Sequence, residues 1–320
     1  MNFIKINKFA FITFSCLVIY FLLAFLSVYF FLEHFSFLNP NTLNLYSENN
    51  FLLFIQKPIL FIVAIIICFV IEGYILKWEN NSLSKIINFS SPSARTDIFY
   101  MWIKISGLSD FIFNIVFLGF GFYLLNLIKN YSLININNIP LEFILMFLCT
   151  TFLHYWYHRL MHSKYFWELH KLHHSAVEMN VLTASREHPL VVSVSVLLLS
   201  LPVFIFGVRP EIAFIYICIT GIYDLFLHSK VNMVPKWARV LMIDSTAHYI
   251  HHSTHAHYYN SNYGNFFNIW DRLFKTFKKP LDNNPIPIGI VNDKLNTDKY
   301  FKEMFLVIVY WIKSLKRIFR

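Results

Sequence analysis

Long apolar runs constrain the fold of this chain more than any other feature of its sequence. Residues 9–32 are apolar over about 24 positions, and a helix needs about 20 apolar residues to cross a bilayer. Apolar residues make up 57% of the chain and charged residues 14%, whereas soluble domains have roughly 45–50% and about 25%. Because a backbone inside lipid must satisfy its own polar groups, these runs predict transmembrane helices.

Six apolar segments are predicted to span the membrane, so the predicted fold class is all-α, a multi-pass transmembrane helical bundle. The segments are residues 9–32, 51–71, 108–128, 141–157, 190–208 and 212–227. The first is too long for a signal-peptide core and has no small-residue cleavage site, so we interpret it as a span. The more polar segment 72–106 contains Ser-Pro-Ser at 91–93, which should interrupt a helix, and we predict a loop on the membrane surface. Residues 300–320 are predicted to form an interfacial helix.

The basic residues orient this six-span arrangement. With six spans, 24 of the 27 Lys and Arg residues lie on one side of the membrane, and the exceptions are Lys57, Lys129 and Arg209. Loops rich in Lys and Arg stay in the cytoplasm, so that side is predicted to be cytoplasmic. The net charge of +9 is explained in this way, and we predict no nucleic-acid partner, because the cations flank apolar runs rather than form one basic face.

Histidines are concentrated in one part of the chain. Of the 14 His residues, 13 lie between positions 154 and 257. Eight of these form clusters with helical spacing: His158 and His162; His170, His173 and His174; and His248, His251 and His252. Offsets of three and four place side chains on one face of a helix, and all three clusters fall on the predicted cytoplasmic side. We therefore predict a cytoplasmic helical cap that carries the His clusters and binds metal.

The number of histidines constrains the metal. A structural zinc takes four ligands and a catalytic zinc three, usually with Cys or a carboxylate among them. Eight imidazoles are too many for one zinc, and the HExxH motif of zinc peptidases is absent from the sequence. Eight or more nitrogens suit two metal ions, and imidazole binds iron as well as zinc.

The histidine clusters occur within motifs of a known family. The motifs are YWYHRLMH at 155–162, WELHKLHHS at 167–175, REHP at 186–189, HYIHH at 248–252, NYG at 262–264 and WDRLFKT at 270–276. Over about residues 150–280, this combination resembles the fatty acid hydroxylase/sterol desaturase superfamily, whose members are membrane-bound histidine-box di-iron oxygenases.

The resemblance implies a function and a ligand set. The clusters would hold two iron ions, with zinc possible in purified protein, and the enzyme would use O2 to hydroxylate or desaturate a C–H bond of a sterol or fatty acyl lipid. His228 corresponds to an additional family ligand, and His188 of REHP is a further candidate, whereas His154 is expected to pack against a neighbouring helix. The resemblance implies no catalytic side chain apart from the metal ligands. Asp271 is expected to form a structural ion pair with Arg272.

Electrons for such a reaction must come from outside the chain. The sequence contains no Rossmann fingerprint, haem-attachment motif or ferredoxin Cys spacing. We therefore predict an external donor of the cytochrome b5 or ferredoxin type, docking on the basic cytoplasmic face. The other predicted partners are the lipid substrate, O2 and the membrane.

Three regions are predicted along the chain: an N-terminal transmembrane region at 1–140, the histidine-box domain at 141–280, and a C-terminal tail with the interfacial helix at 281–320. Two other functional classes remain open at this point. A membrane zinc hydrolase would use fewer histidines and a carboxylate base. A non-enzymatic metal or haem carrier would place its histidines along successive transmembrane helices rather than on one face.

Overall fold

The computed structural model of the chain describes residues 49–88, 91–109, 136, 138–281, 286–292 and 294–319. Every regular element within these ranges is helical, and the only β pairing there consists of two isolated bridges. The predicted all-α character is therefore confirmed for the described part of the chain. The predicted span at 9–32 and His34 lie outside the described residues, as does nearly all of the predicted span at 108–128.

Ten α-helices occur in the described residues, and we number them in chain order. They are α1 Asn49–Ile75, α2 Ser82–Ile87, α3 Pro92–Ile105, α4 Ile139–Met161, α5 Trp167–His174, α6 Pro189–Ile205, α7 Pro210–Leu227, α8 Ser245–His251, α9 Ile269–Leu273 and α10 Tyr300–Ile318. Short 3-10 turns connect several of them, including Val181–Ser185 between α5 and α6.

The long helix α4 has the local sequence signals of a helix start. The Asn138 side chain accepts a hydrogen bond from the Leu141 amide at 3.0 Å, and Pro140 occupies the first turn, where a missing N–H costs nothing. Within the described ranges, α4 is the one helix that is long and apolar enough to cross a membrane by length and composition.

Four long helices, α1, α4, α6 and α7, form the bundle, with α6 and α7 packed on α4 and α1 packed on α7. At one end, the Arg209 guanidinium before α7 donates to the buried Glu142 carboxylate near the start of α4, at 2.6 Å. At the other end, Glu72 of α1 accepts hydrogen bonds from the Ser82 amide, at 2.7 Å, and from the Ser229 hydroxyl just after α7. These contacts align the helix ends and bring the C-terminal ends of α1 and α7 together.

The loop prediction for residues 72–106 is wrong. The segment forms α2 and α3, and α3 buries its polar residues Thr96 and Asp97 together with Ile98. The physical reason lies in the Ser-Pro-Ser sequence, which starts a helix here rather than ending one. Ser91 accepts a hydrogen bond from the Ala94 amide at 3.1 Å, and Pro92 supplies the first helical residue.

The C-terminal helix α10 packs against α5. The Trp311 indole donates to the Tyr165 carbonyl at 2.7 Å, and Val307 is fully buried. The opposite face leaves Phe301 and Phe305 67% and 65% exposed. The predicted helix at 300–320 is thus present as Tyr300–Ile318, and its contact with a membrane stays a prediction.

Candidate metal centre

Helix ends position the histidines. His158 lies in the last turn of α4, and His162 is its C-cap residue. Helix α5 carries the second cluster, His228 is the C-cap residue of α7, and α8 carries the third cluster with His252 as its C-cap residue. The Asp244 carboxylate fixes the start of α8 by accepting from the Ala247 amide at 2.8 Å. The rings of four different helices therefore converge on one region.

The histidine nitrogens form two groups, each with ligand atoms within 4.8 Å of one another. Group one is His158, His162, His170, His174 and His251. Group two is His173, His228, His248 and His252. Nine of the ten histidines predicted as ligands are brought together in this way, in sets of five and four.

The short distances inside each group run between Nε2 atoms. In group one, His158 Nε2 lies 3.2 Å from His170 Nε2, and His162 Nε2 lies 3.1 Å from His174 Nε2. In group two, His228 Nε2 lies 3.0 Å from His248 Nε2 and 3.4 Å from His173 Nε2. Each group therefore directs several lone-pair nitrogens toward one point.

The two groups adjoin each other. The ring centroids of His174 in group one and His252 in group two are 4.3 Å apart, and those of His170 in group one and His173 in group two are 5.3 Å apart. The arrangement is consequently one centre with two neighbouring sets of nitrogens, as a pair of metal ions requires.

Backbone carbonyls orient the rings from behind. His158 Nδ1 lies 2.9 Å from the Tyr263 carbonyl, His251 Nδ1 lies 2.7 Å from the Ser261 carbonyl, and His228 Nδ1 lies 2.9 Å from the Asp224 carbonyl. An imidazole that donates Nδ1–H to a carbonyl keeps Nε2 free as a metal ligand. At many metal sites a carboxylate accepts this Nδ1–H bond, whereas backbone carbonyls accept it here. The Asp224 carboxylate lies farther from His228 Nδ1, at 3.7 Å.

Buried nitrogens without hydrogen-bond partners fit a metal. Among the described residues, His251 Nε2 and both ring nitrogens of His252 are buried with no partner, as are Nδ1 of His170, His173 and His248. A buried polar atom left unpaired costs about 1–3 kcal/mol, and a cation at each group would satisfy those nitrogens that face it.

Seven histidines of the centre are held in the neutral form that binds metal. Burial lowers the pKa of each of these groups well below the usual value for His, and positive charge on neighbouring rings lowers the pKa further. The residues are His162, His170, His173, His174, His248, His251 and His252. Several imidazolium ions would repel one another in this space, whereas neutral rings can share metal cations.

His188 and His154 lie outside both groups. His188 is buried at the start of α6, where its Nδ1 accepts a hydrogen bond from the Leu190 amide at 3.2 Å. The His154 ring packs beside the His158 ring, with centroids 5.8 Å apart. The proposals below therefore use neither residue as a ligand.

A buried ion pair supports the second cluster. The Arg186 guanidinium donates to Asp97 of α3 at 2.6 Å, and both side chains are fully buried. Arg186 also donates to the Ser175 hydroxyl, directly after His174, at 3.1 Å, and to Asn296 at 2.8 Å. Sequence analysis missed Asp97 because no motif surrounds it; the available signal was Arg186 itself, a cation in a metal-binding segment that needs a counter-charge.

The expected ion pair between Asp271 and Arg272 is not formed. Asp271 instead accepts from the amides of Tyr263 and Gly264, each at 2.8 Å, while Arg272 donates to Asn268. A Cβ at Gly264 would lie 2.3 Å from the Phe267 carbonyl oxygen, so only glycine fits this turn. The role of Asp271 is therefore to hold the turn whose Tyr263 carbonyl orients His158.

Comparisons with known proteins match the part of the chain that carries the histidines. The sequence profile of the fatty acid hydroxylase family matches residues 143–276. Human alkylglycerol monooxygenase is 28% identical over 181 residues, 55% of this chain and 39% of that protein. The ornithine lipid hydroxylase OlsE of Rhizobium tropici is 31% identical over 138 residues, 42% of this chain and 41% of that protein.

Human lathosterol oxidase is 28% identical over 131 residues, 39% of this chain and 41% of that protein. The chain thus spans about two fifths of the length of these relatives. No solved structure matches the chain significantly.

Proposed function

The chain belongs to the fatty acid hydroxylase/sterol desaturase superfamily through residues 143–276, and from this premise we propose that it is a membrane-bound di-iron enzyme that oxidises a C–H bond of a lipid with O2. The observation that carries the proposal is the convergence of nine buried or partly buried histidines into two adjoining groups. The three relatives described above are a monooxygenase, a hydroxylase and an oxidase by name.

Group one would hold one iron ion through five imidazoles, and group two the other through four. Bound iron would supply the activation of O2 and the oxidation of the lipid carbon. The chain's own residues hold neutral imidazoles, orient them through backbone carbonyls and exclude bulk water by burial. The donor set favours iron over a structural zinc, because it contains no Cys and exceeds the four ligands of such a site.

We place the protein in the membrane as a multi-pass bundle. Helices α1, α4 and α7 expose large apolar side chains along their sides, among them Val70, Ile144 and Ile217, the last 62% exposed. Such surfaces suit lipid rather than water. The excess of Lys and Arg at the His-bearing end supports a cytoplasmic location for the centre.

Expression of the chain in a host cell tests the function. Wild-type protein should bind two iron ions per chain, and lipid extracts should contain a species with one added oxygen atom or two fewer hydrogen atoms. These two mass changes distinguish hydroxylation from desaturation. His251→Ala should abolish the new species, whereas His257→Ala, an exposed His outside both groups, should preserve it.

Two results would contradict the proposal. The first is a protein that binds zinc alone after growth in iron-rich medium and cleaves lipid without O2, as a hydrolase would. The second is wild-type product formation that persists after every metal ion has been removed with a chelator.

A further inference from the structure

A basic groove lies beside the candidate metal centre. It is a cavity of about 400 Å³ between α5, α10 and residues 290–292, 294 and 295. Four cationic side chains line it, Lys171, Lys294, Lys313 and Arg317, with one described carboxylate, Glu168. We call this cavity the basic groove. Its location on α5 matters because the same helix carries three histidines of the centre.

Most of the cationic side chains in the basic groove have no carboxylate partner in the part of the chain that the structure describes. Glu168 pairs with Lys171, with 2.6 Å between the carboxylate oxygen and Nζ. Among the described residues, no carboxylate lies within ion-pair distance of Lys294, Lys313 or Arg317. The described lining residues therefore present three cations without a carboxylate partner, and their field favours a partner with an acidic surface.

Trp167 connects the basic groove to group one. The indole lines the groove, and its ring centroid lies 5.2 Å from that of His162 and 5.3 Å from that of His174. His162 is the one partly exposed member of the nine grouped histidines; the other eight are buried. An aromatic ring that lines the basic groove thus packs beside two histidines of group one, one of them the partly exposed His162.

We infer that the basic groove docks an acidic one-electron carrier protein and that electrons pass through Trp167 to group one. The inference rests on the proposed function, which needs a reductant that the chain does not carry. Hydroxylation consumes one C–H bond, O2, two electrons and two protons, and gives the alcohol and one water. Two reduced carriers supply the two electrons, one after the other, and leave oxidised. Desaturation uses the same two electrons and two protons and gives the alkene and two waters.

An acidic protein suits the groove better than an anionic lipid headgroup. An acidic protein surface presents several carboxylates and can match three cations at once, whereas one anionic headgroup carries only one or two negative charges. A headgroup would also make no use of the contact between Trp167 and the two histidine rings.

Charge reversal tests the docking. The probe is an acidic ferredoxin with a [2Fe–2S] cluster, bound to the full chain in nanodiscs. The triple variant Lys294→Glu, Lys313→Glu, Arg317→Glu should weaken binding by about tenfold or more and flatten its salt dependence. The matched control reverses three exposed lysines outside the groove, Lys236→Glu, Lys279→Glu and Lys302→Glu, and should change binding less than about twofold.

Substitution of Trp167 tests the path. Trp167→Leu should slow reduction of the iron-loaded protein several-fold when the rates are measured at saturating ferredoxin and compared per bound iron ion, so that any change in affinity or iron content is taken into account. Trp167→Phe, which keeps an aromatic ring, should recover part of the rate. A Trp167→Leu protein that is reduced at the wild-type rate would overturn this part of the inference.

Two further measurements separate the possible failures. If groove reversal abolishes binding to phosphatidylglycerol vesicles but leaves ferredoxin binding intact, the groove holds a headgroup and the docking inference is wrong. Ascorbate with a phenazine mediator supplies electrons without docking. The docking alone would be refuted if the mediator supports lipid oxidation and if wild type and the triple groove variant are reduced by ferredoxin at the same rate. No product from wild type under either supply would refute the proposed function.

Discussion

The two histidine groups use the same two helices in opposite ways. In α5, the HxxHH residues that are four apart join group one, and the remaining residue, His173, joins group two. In α8 the assignment is reversed, and His251 is the residue that joins group one. Rings at i and i+4 share a helix face, whereas the ring at i+3 points to one side of it. The two groups are thus interlocked, and neither helix serves one group alone.

The groups differ in their surroundings. Group one contains the partly exposed His162 beside Trp167, and its rings are held by the carbonyls of Tyr263 and Ser261. Group two is fully buried and includes His228, next to the hydrogen bond between Ser229 and Glu72. Group one is therefore the more accessible of the two, as the proposed docking of an electron carrier at the basic groove requires.

Removal of one histidine from each group should have the largest effect. We expect His251→Ala to lose the iron of group one and His248→Ala the iron of group two, each with at least a 100-fold lower rate of lipid oxidation. Loss of an outer contact alone costs about 10- to 100-fold, and loss of a ligand should cost more. Metal analysis and product formation measure both effects.

The control for this pair is His255→Ala, because His255 is exposed and lies outside both groups. If His251→Ala and His248→Ala each lost both ions, the division into two separately loaded groups would be wrong.

Loss of the Asp97 charge should affect both groups equally. Asp97→Asn leaves the fully buried Arg186 without a counter-charge, and breaking a buried ion pair costs about 3–5 kcal/mol. Since Arg186 holds the end of α5, which contributes to both groups, the iron content of both groups should decrease. Thermal unfolding and metal content measure the effect.

The matched control is Asp298→Asn, which breaks the partly exposed pair between Arg95 and Asp298. Such a pair contributes about 0–1 kcal/mol. Equal destabilisation by the two variants would show that burial of Arg186 is not the cause.

A second pair of variants should distinguish the groups. Glu72→Gln weakens the contact to Ser229 beside His228, and Asp271→Asn weakens the turn that presents the Tyr263 carbonyl to His158. Each should lower the iron affinity of one group by about tenfold, group two for Glu72→Gln and group one for Asp271→Asn. Competition with a chelator measures the affinities, and an effect of either variant on the other group would contradict the assignment.

The smallest expected effect is a difference between the two groups in the rate at which a chelator removes iron. Because His162 is partly exposed and every member of group two is buried, a chelator should remove iron from group one several-fold faster. His248→Ala protein, which keeps the iron of group one, and His251→Ala protein, which keeps that of group two, report each rate separately. Faster release of iron from group two than from group one would contradict the proposal that group one is the more accessible.

The sequence predicts that the histidines gather at one centre better than it predicts which histidine belongs to which group. Offsets of three and four place several rings on one face, and this is enough to predict that the eight clustered histidines lie close together. Which cluster meets which depends on how α4, α5, α7 and α8 pack, and that packing is set by contacts between residues far apart in the chain. The spacing therefore could not assign His173 and His251 to their groups.

The prediction for residues 72–106 failed for a related reason. A Ser-Pro-Ser sequence is compatible with both a loop and a helix start, and the choice depends on what the following residues contact. Here Asp97 meets Arg186, 89 positions later, so α3 is covered by the histidine-bearing region. The helix at Tyr300–Ile318 was easier to predict, because its pattern of apolar and basic residues lies within one short segment of the sequence.

The bond between Asp97 and Arg186 has a consequence for dissecting the protein. Asp97 lies outside residues 143–276, the region shared with the family. A fragment trimmed to that region would keep a guanidinium in an apolar interior with its balancing anion deleted. The smallest autonomous folding unit should accordingly include α3. A boundary taken from the family match alone, at residue 143, would leave α3 out.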